Sequence, residues 1–141
     1  MFAGDLTEKL TITNLLSATV DAFDRVDILV NANRAMAVSK ALHPDEDGVE
    51  ELWRQNVLTA LRMSQMTAKR MIQHGQRAEV EAGTMLGSIV NISSITAQVT
   101  RPELLAYSMA AAAMDQMTRS LALALAPKGI RVNAVAFGSV M

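Results

Sequence analysis

Apolar and polar positions along the chain alternate between helical spacing and short unbroken apolar runs. Leu15, Leu16, Thr19, Val20 and Phe23 recur at helical intervals, which predicts a helix over 6–23 with Thr7 as its cap ahead of Glu8. Asp27-Ile28-Leu29-Val30-Asn31 is a short run with β-branched residues and reads as a buried strand. His43 to Gly48 is a loop whose acidic residues suit the start of a following helix, where the backbone dipole favours negative charge. That helix is expected over 49–73, carrying Leu52, Val57, Leu61, Met66 and Met71, with Gly75 ending it. Gln76 to Gly83 is polar and small, a surface loop. Ser88 to Ile92 reads as a second strand, and Ile130 to Val135 as a third. Between them Pro102 and Pro127 bracket a helix over 103–126. Strands separated by long helices predict an α/β fold of parallel βαβ units in one domain over 1–141, with helices on both faces of the sheet.

The 103–126 helix carries only Glu103, Asp115 and Arg119 as charged residues and is apolar nearly all round. Either other elements of the same chain hide this helix or, more simply with only three strands, a second copy covers it, which predicts a homodimer or tetramer formed through the 49–73 and 103–126 helices. Composition narrows the function. Half of the 141 residues are apolar and 19% are charged, enough for a packed core and unlike a disordered chain. Thirteen Lys and Arg against 14 Asp and Glu leave a net charge of −1, which argues against nucleic-acid partners. No apolar run is long enough to suggest a membrane span, and charge enters at Asp5, too early for a signal peptide. The absence of cysteine suits a reducing cytoplasm and excludes thiolate chemistry, while His43 and His74 lack metal-ligand spacing, so no metal site is expected.

Candidate chemistry gathers where the second strand ends. Gly87 to Ser94 delivers two serines to the carboxyl edge of the sheet, the edge at which open α/β sheets bind ligands. Tyr107 follows 13 residues after Ser94, on the first turns of the next helix. A hydroxyl and a phenol so placed can converge on one substrate oxygen, with the phenol as general acid or base. The third strand brings Phe137-Gly138-Ser139 to the same edge.

This set resembles the short-chain dehydrogenase/reductase family. Asp5-Leu6-Thr7 is similar to that family's acidic turn beside adenine, and Val30-Asn31-Ala32-Asn33-Arg34 sits where its Asn-Asn-Ala-Gly motif follows a strand. Asn56 matches the helix asparagine of the catalytic tetrad, and Ser94 and Tyr107 match the serine and tyrosine. Arg131-Val132-Asn133-Ala134-Val135 followed by Gly138 resembles the strand before the Pro-Gly turn. The resemblance implies a partial Rossmann-like, doubly wound parallel sheet of about three strands and three long helices. It also implies NAD- or NADP-dependent hydride transfer between an alcohol and a ketone. Tyr107 would move the proton, Ser94 would hold the oxygen and Asn56 would position a relay water. Asp5, Asn31, Ala32, Tyr107 and Gly138 would lie at the cofactor.

The chain departs from that pattern at telling positions. The family's lysine, four residues after the tyrosine, is Ala111, and the alternative position seven residues on is Met114. Lys128 lies roughly 30 Å along the helix and cannot substitute. No glycine-rich turn opens a helix ahead of Asp5, the motif glycine has become Arg34, and Phe137 replaces the proline before Gly138. The sequence therefore reads as a member shortened at both ends, impaired or inactive by itself. A non-catalytic scaffold or oligomerisation partner is the alternative. Without a preceding strand, 27–31 is expected to be a sheet edge.

Overall fold

The three apolar runs pair into one parallel sheet. A computed structural model describes residues 1–138, with β1 at Ile28–Asn31, β2 at Gly87–Ser94 and β3 at Ile130–Phe137 in the spatial order β1-β2-β3. Leu29 lies opposite Ile89, and Ile89 opposite Val132. β1 is an edge, as expected. Ser139, expected at the site, lies outside the described residues.

Three long helical segments accompany the strands: α1 (Lys9–Phe23), a composite segment over 49–77, and α4 (Leu105–Leu125). The composite consists of α2 (Val49–Leu52), a π-helical turn (Trp53–Leu58) and α3 (Thr59–Arg77). Ile12 and Leu16 of α1 and Met63, Ala68 and Met71 of α3 pack on Leu29, Ile89, Ile130 and Val132, with Leu121 and Leu125 of α4 against the same cluster. These strand residues share one parity, so all three helical segments cover one face of the sheet. The reason is topological. The strand order advances in one direction, so the right-handed crossovers from β1 to β2 and from β2 to β3 place α3 and α4 on the same side, and α1, ahead of β1, packs beside α3. The expectation of helices on both faces is corrected: among the described residues the second face is open. Ile28, Val30, Val135 and Phe137, all on that face, are 67%, 54%, 45% and 42% exposed.

Two local expectations are also corrected. Gly75 does not end its helix, which runs on to Arg77. The glycine instead lets Leu86 pack against the helix, because a Cβ there would lie 2.7 Å from Leu86 Cδ2. The first helix begins at Lys9 with Glu8 in the capping position, and Thr7 does not cap it. The Thr7 N–H donates to Asp5 Oδ1 at 2.8 Å, which shapes the entering turn.

At the centre of the sheet the core is polar. Asn31 and Asn91, register partners on β1 and β2, are 3% and 0% exposed. Asn31 Nδ2 donates to Asn91 Oδ1 at 2.8 Å and to Ser64 Oγ of α3 at 2.9 Å. Asn91 Nδ2 donates to Thr118 Oγ1 at 2.9 Å, and that hydroxyl donates to Met114 O at 2.8 Å within α4. Replacing Asn91 with leucine, of the same branching, strips Asn31 of an acceptor and Thr118 of a donor. We expect Asn91→Leu to lower the free energy of unfolding by about 2–3 kcal/mol, measured by urea denaturation. An unchanged midpoint would show that the amides carry no net stability.

Candidate active site

The carboxyl end of β2 and the first turn of α4 meet in one cleft. Ser94 closes β2, 3% exposed, and its Oγ accepts from the Thr96 N–H at 3.2 Å and from Thr96 Oγ1 at 3.0 Å, capping the short turn Ile95–Ala97. Tyr107 is 4% exposed and packs with Leu52 and Ala106. Ser39, on the long connection after β1, holds the start of α4. Its Oγ accepts from the Ala106 N–H at 3.0 Å, and its own N–H donates to Glu103 O at 2.8 Å. Among the described residues the Tyr107 hydroxyl makes no hydrogen bond, whereas Ser93, facing the helices, donates to Ala111 O at 3.4 Å.

Asn56 occupies the π-helical turn, a widened turn of the kind found at functional sites. Its carboxamide makes a reciprocal pair with Ala35: Nδ2 donates to Ala35 O at 2.8 Å, and Oδ1 accepts from the Ala35 N–H at 2.7 Å. Asn33 Nδ2 donates to Gln55 O at 2.8 Å beside it. The loop after β1 is thereby fastened to the turn that bears Asn56, and one donor and one acceptor position of that side chain are used in doing so.

Asn56, Ser94 and Tyr107 line the same small cleft, together with Arg34, Ala111 and Met114. Its volume is ≈ 20 Å³, room for about one water molecule. Ala111, one turn beyond Tyr107, presents a methyl group where the family pattern has an ammonium, and Arg34 is the one charged side chain among the described lining residues.

The remaining predicted residues scatter. Asp5 lines a neighbouring, more open pocket of ≈ 300 Å³ with Thr7, Asn33, Arg34, Arg54 and Gln55. Its carboxyl is held below the ordinary 3.8 by the Thr7 N–H and hydroxyl, with a smaller contribution from Arg54. That preference for the charged form is therefore present near neutral pH and is lost as pH falls through the depressed value. The Asn31 side chain points into the core and is committed to Asn91 and Ser64, which leaves only its backbone for a cofactor. Ala32 is exposed. Gly138 lies beyond β3, where a Cβ would stand 3.3 Å from Ile95 Cδ1.

Sequence reasoning missed the partners that hold this arrangement: Asn33, Ser39, Ser64, Asn91 and Thr118. Asn91 carried a signal, being a carboxamide in the middle of an apolar strand. Arg34 was noted only as a bulky replacement for glycine; its guanidinium carbon lies 4.8 Å from the centroid of the Tyr107 ring.

Comparison with known proteins identifies relatives of the chain and of its fold. A family model described as enoyl-(acyl carrier protein) reductase matches residues 1–141. The chain is 32% identical over 140 residues to glucose and ribitol dehydrogenase homolog 2 of Arabidopsis thaliana, covering 99% of this chain and 44% of that protein. It is 30% identical over 137 residues to glucose 1-dehydrogenase 2 of Bacillus subtilis, covering 97% and 50%. Among solved structures, acetoin dehydrogenase from Enterobacter cloacae superposes with a TM-score of 0.81 at 31% identity, covering 97% of this chain and 52% of that one. NAD+-bound xylitol dehydrogenase gives 0.81 at 27% identity, covering 95% and 48%. The chain spans about half the length of the relatives it matches. With the serine, the tyrosine and the helix asparagine gathered in one cleft at the sheet edge, these likenesses assign the chain to the short-chain dehydrogenase/reductase family.

Proposed function

We propose that these residues form the substrate-side half of an oxidoreductase site that interconverts an alcohol and a ketone. The convergence of Ser94, Tyr107 and Asn56 on one cleft carries this reading. Ser94 Oγ accepts two hydrogen bonds from Thr96, which leaves its own proton to donate to a carbonyl oxygen. Tyr107, with its hydroxyl unbonded among the described residues, is placed to exchange a proton with the same oxygen. Asn56 acts through Ala35, keeping the loop after β1 against the cleft.

NAD or NADP is the cofactor that kinship suggests, and we infer that the 141 residues do not hold it unaided. The cleft holds ≈ 20 Å³ and the adjoining pocket ≈ 300 Å³, the lower end of the roughly 300–1,000 Å³ of ligand sites. Ala111 offers no charge, and no glycine-rich turn opens a helix to receive a pyrophosphate. The second reading, a non-catalytic scaffold or oligomerisation partner, is favoured by the same alanine and by apolar side chains on the outer side of α4. Met109 and Leu123 there are 44% and 81% exposed. No helix of the described residues is long and apolar enough to cross a membrane.

Calorimetry with NAD or NADP is expected to give no dissociation constant below about 100 μM, a binding free energy near −5.5 kcal/mol. Nicotinamide absorbance over a panel of ketones should stay flat. Tighter binding or measurable turnover would overturn the inference. When the amino-terminal half of the Arabidopsis relative is fused ahead of Met1 and Ala111→Lys is added, hydride transfer is expected. Tyr107→Phe should then reduce it by about 10²–10⁴-fold. Turnover indifferent to that change would remove Tyr107 from the reaction. For association through the 49–73 and 103–126 helices, sedimentation at micromolar concentration should show a dimer or tetramer that Leu123→Glu dissociates, and a monomer would refute it.

A further inference from the structure

Arg34 has no role in the chemistry assigned above, yet it stands over the residue central to it. Its guanidinium carbon is 4.8 Å from the Tyr107 ring centroid, within the range over which a cation and an aromatic face attract. Stacking engages the face of the guanidinium and leaves the N–H groups along its edges free. Among the described residues those groups form no ion pair, although four other pairs occupy the surface. Arg34 is exposed and lines both the small cleft and the adjoining ≈ 300 Å³ pocket, so it stands at the boundary between them. In the larger pocket Arg54 is paired with Glu51 and Asp5 accepts from the Thr7 N–H, so neither forms an ion pair with Arg34 among the described residues.

A planar fork of free donors, a phenol without a hydrogen bond and a serine with a proton to give therefore face one space. A carboxylate matches the fork bidentately. A carbonyl or hydroxyl oxygen on the adjacent carbon suits the two hydroxyls. We propose that Arg34 binds the carboxylate of a small 2-oxo or 2-hydroxy acid, entering from the larger pocket, and so sets the substrate class of this site. The carboxylate contact stands by itself, while the placement of the neighbouring oxygen rests on the oxidoreductase reading.

The test uses the chain as it is, because binding of the acid needs no cofactor. The Tyr107 ring is the chain's single tyrosine and reports the site in proton NMR without assignment. Pyruvate is expected to shift its resonances saturably, and butan-2-one to bind about tenfold more weakly. Arg34→Gly, which removes only an exposed side chain, should weaken pyruvate by about tenfold or more, and Arg34→Lys should recover part of the loss. No saturable shift, equal binding of butan-2-one, equal binding of inorganic phosphate, or indifference to Arg34→Gly would each overturn the proposal. Loss of affinity in Ser94→Ala, read from the same resonances, and in Tyr107→Phe, read by calorimetry with pyruvate, supports both halves. Pyruvate binding that needs Arg34 but ignores both hydroxyls would keep the carboxylate contact and defeat the oxidoreductase reading.

Discussion

Two carboxamides at the centre of the sheet set the relation among the other parts. Asn31 and Asn91 face one another across β1 and β2 and reach into α3 through Ser64 and into α4 through Thr118. Buried amides must find partners, and a half-satisfied network costs more than an apolar core. The arrangement therefore tolerates few alternatives. A slip of one residue in the strand register would turn Asn31 away from Asn91 and onto the open face. By fixing α4 against β2, the network sets where Tyr107 stands relative to Ser94. Apolar packing is non-directional and could not specify that relation so narrowly.

A second set of ties works at the rim. Ser39 holds the start of α4, and Asn33 and Asn56 hold the loop after β1 to the π-helical turn. The loop is thus presented to the cleft by carboxamides, and Arg34 follows from that placement. Under the proposed reading two hydroxyls serve an alcohol or ketone oxygen at the cleft, while the charge of the family pattern is missing at Ala111. The one charged side chain among the described lining residues, Arg34, comes from the loop after β1 and lies over the face of the ring.

The open face of the sheet follows from the same topology that builds the site. Three strands added in one direction place all their helices on one side, and the alternate positions Ile28, Val30, Val135 and Phe137 are left in contact with solvent. A contiguous apolar surface of this kind is uncommon on an isolated soluble domain. It accords with a chain that spans about half the length of its relatives.

Much of the architecture was legible in the order of residues. Apolar runs at 28–31 and 88–92, helical spacing at 15–23 and prolines at 102 and 127 located the strands and helices to within a few residues, because these signals are local. Ser94, Tyr107 and Asn56 were legible because their spacing along the chain belongs to a family pattern. Gly75 misled, since a glycine inside a helix and one just beyond it look alike until Leu86 is seen against it. Which face the helices cover, which amides pair across the core, and that Arg34 lies over Tyr107 were decided only by the tertiary structure. Each depends on groups distant in sequence being brought within a few ångströms, and no local pattern encodes that distance.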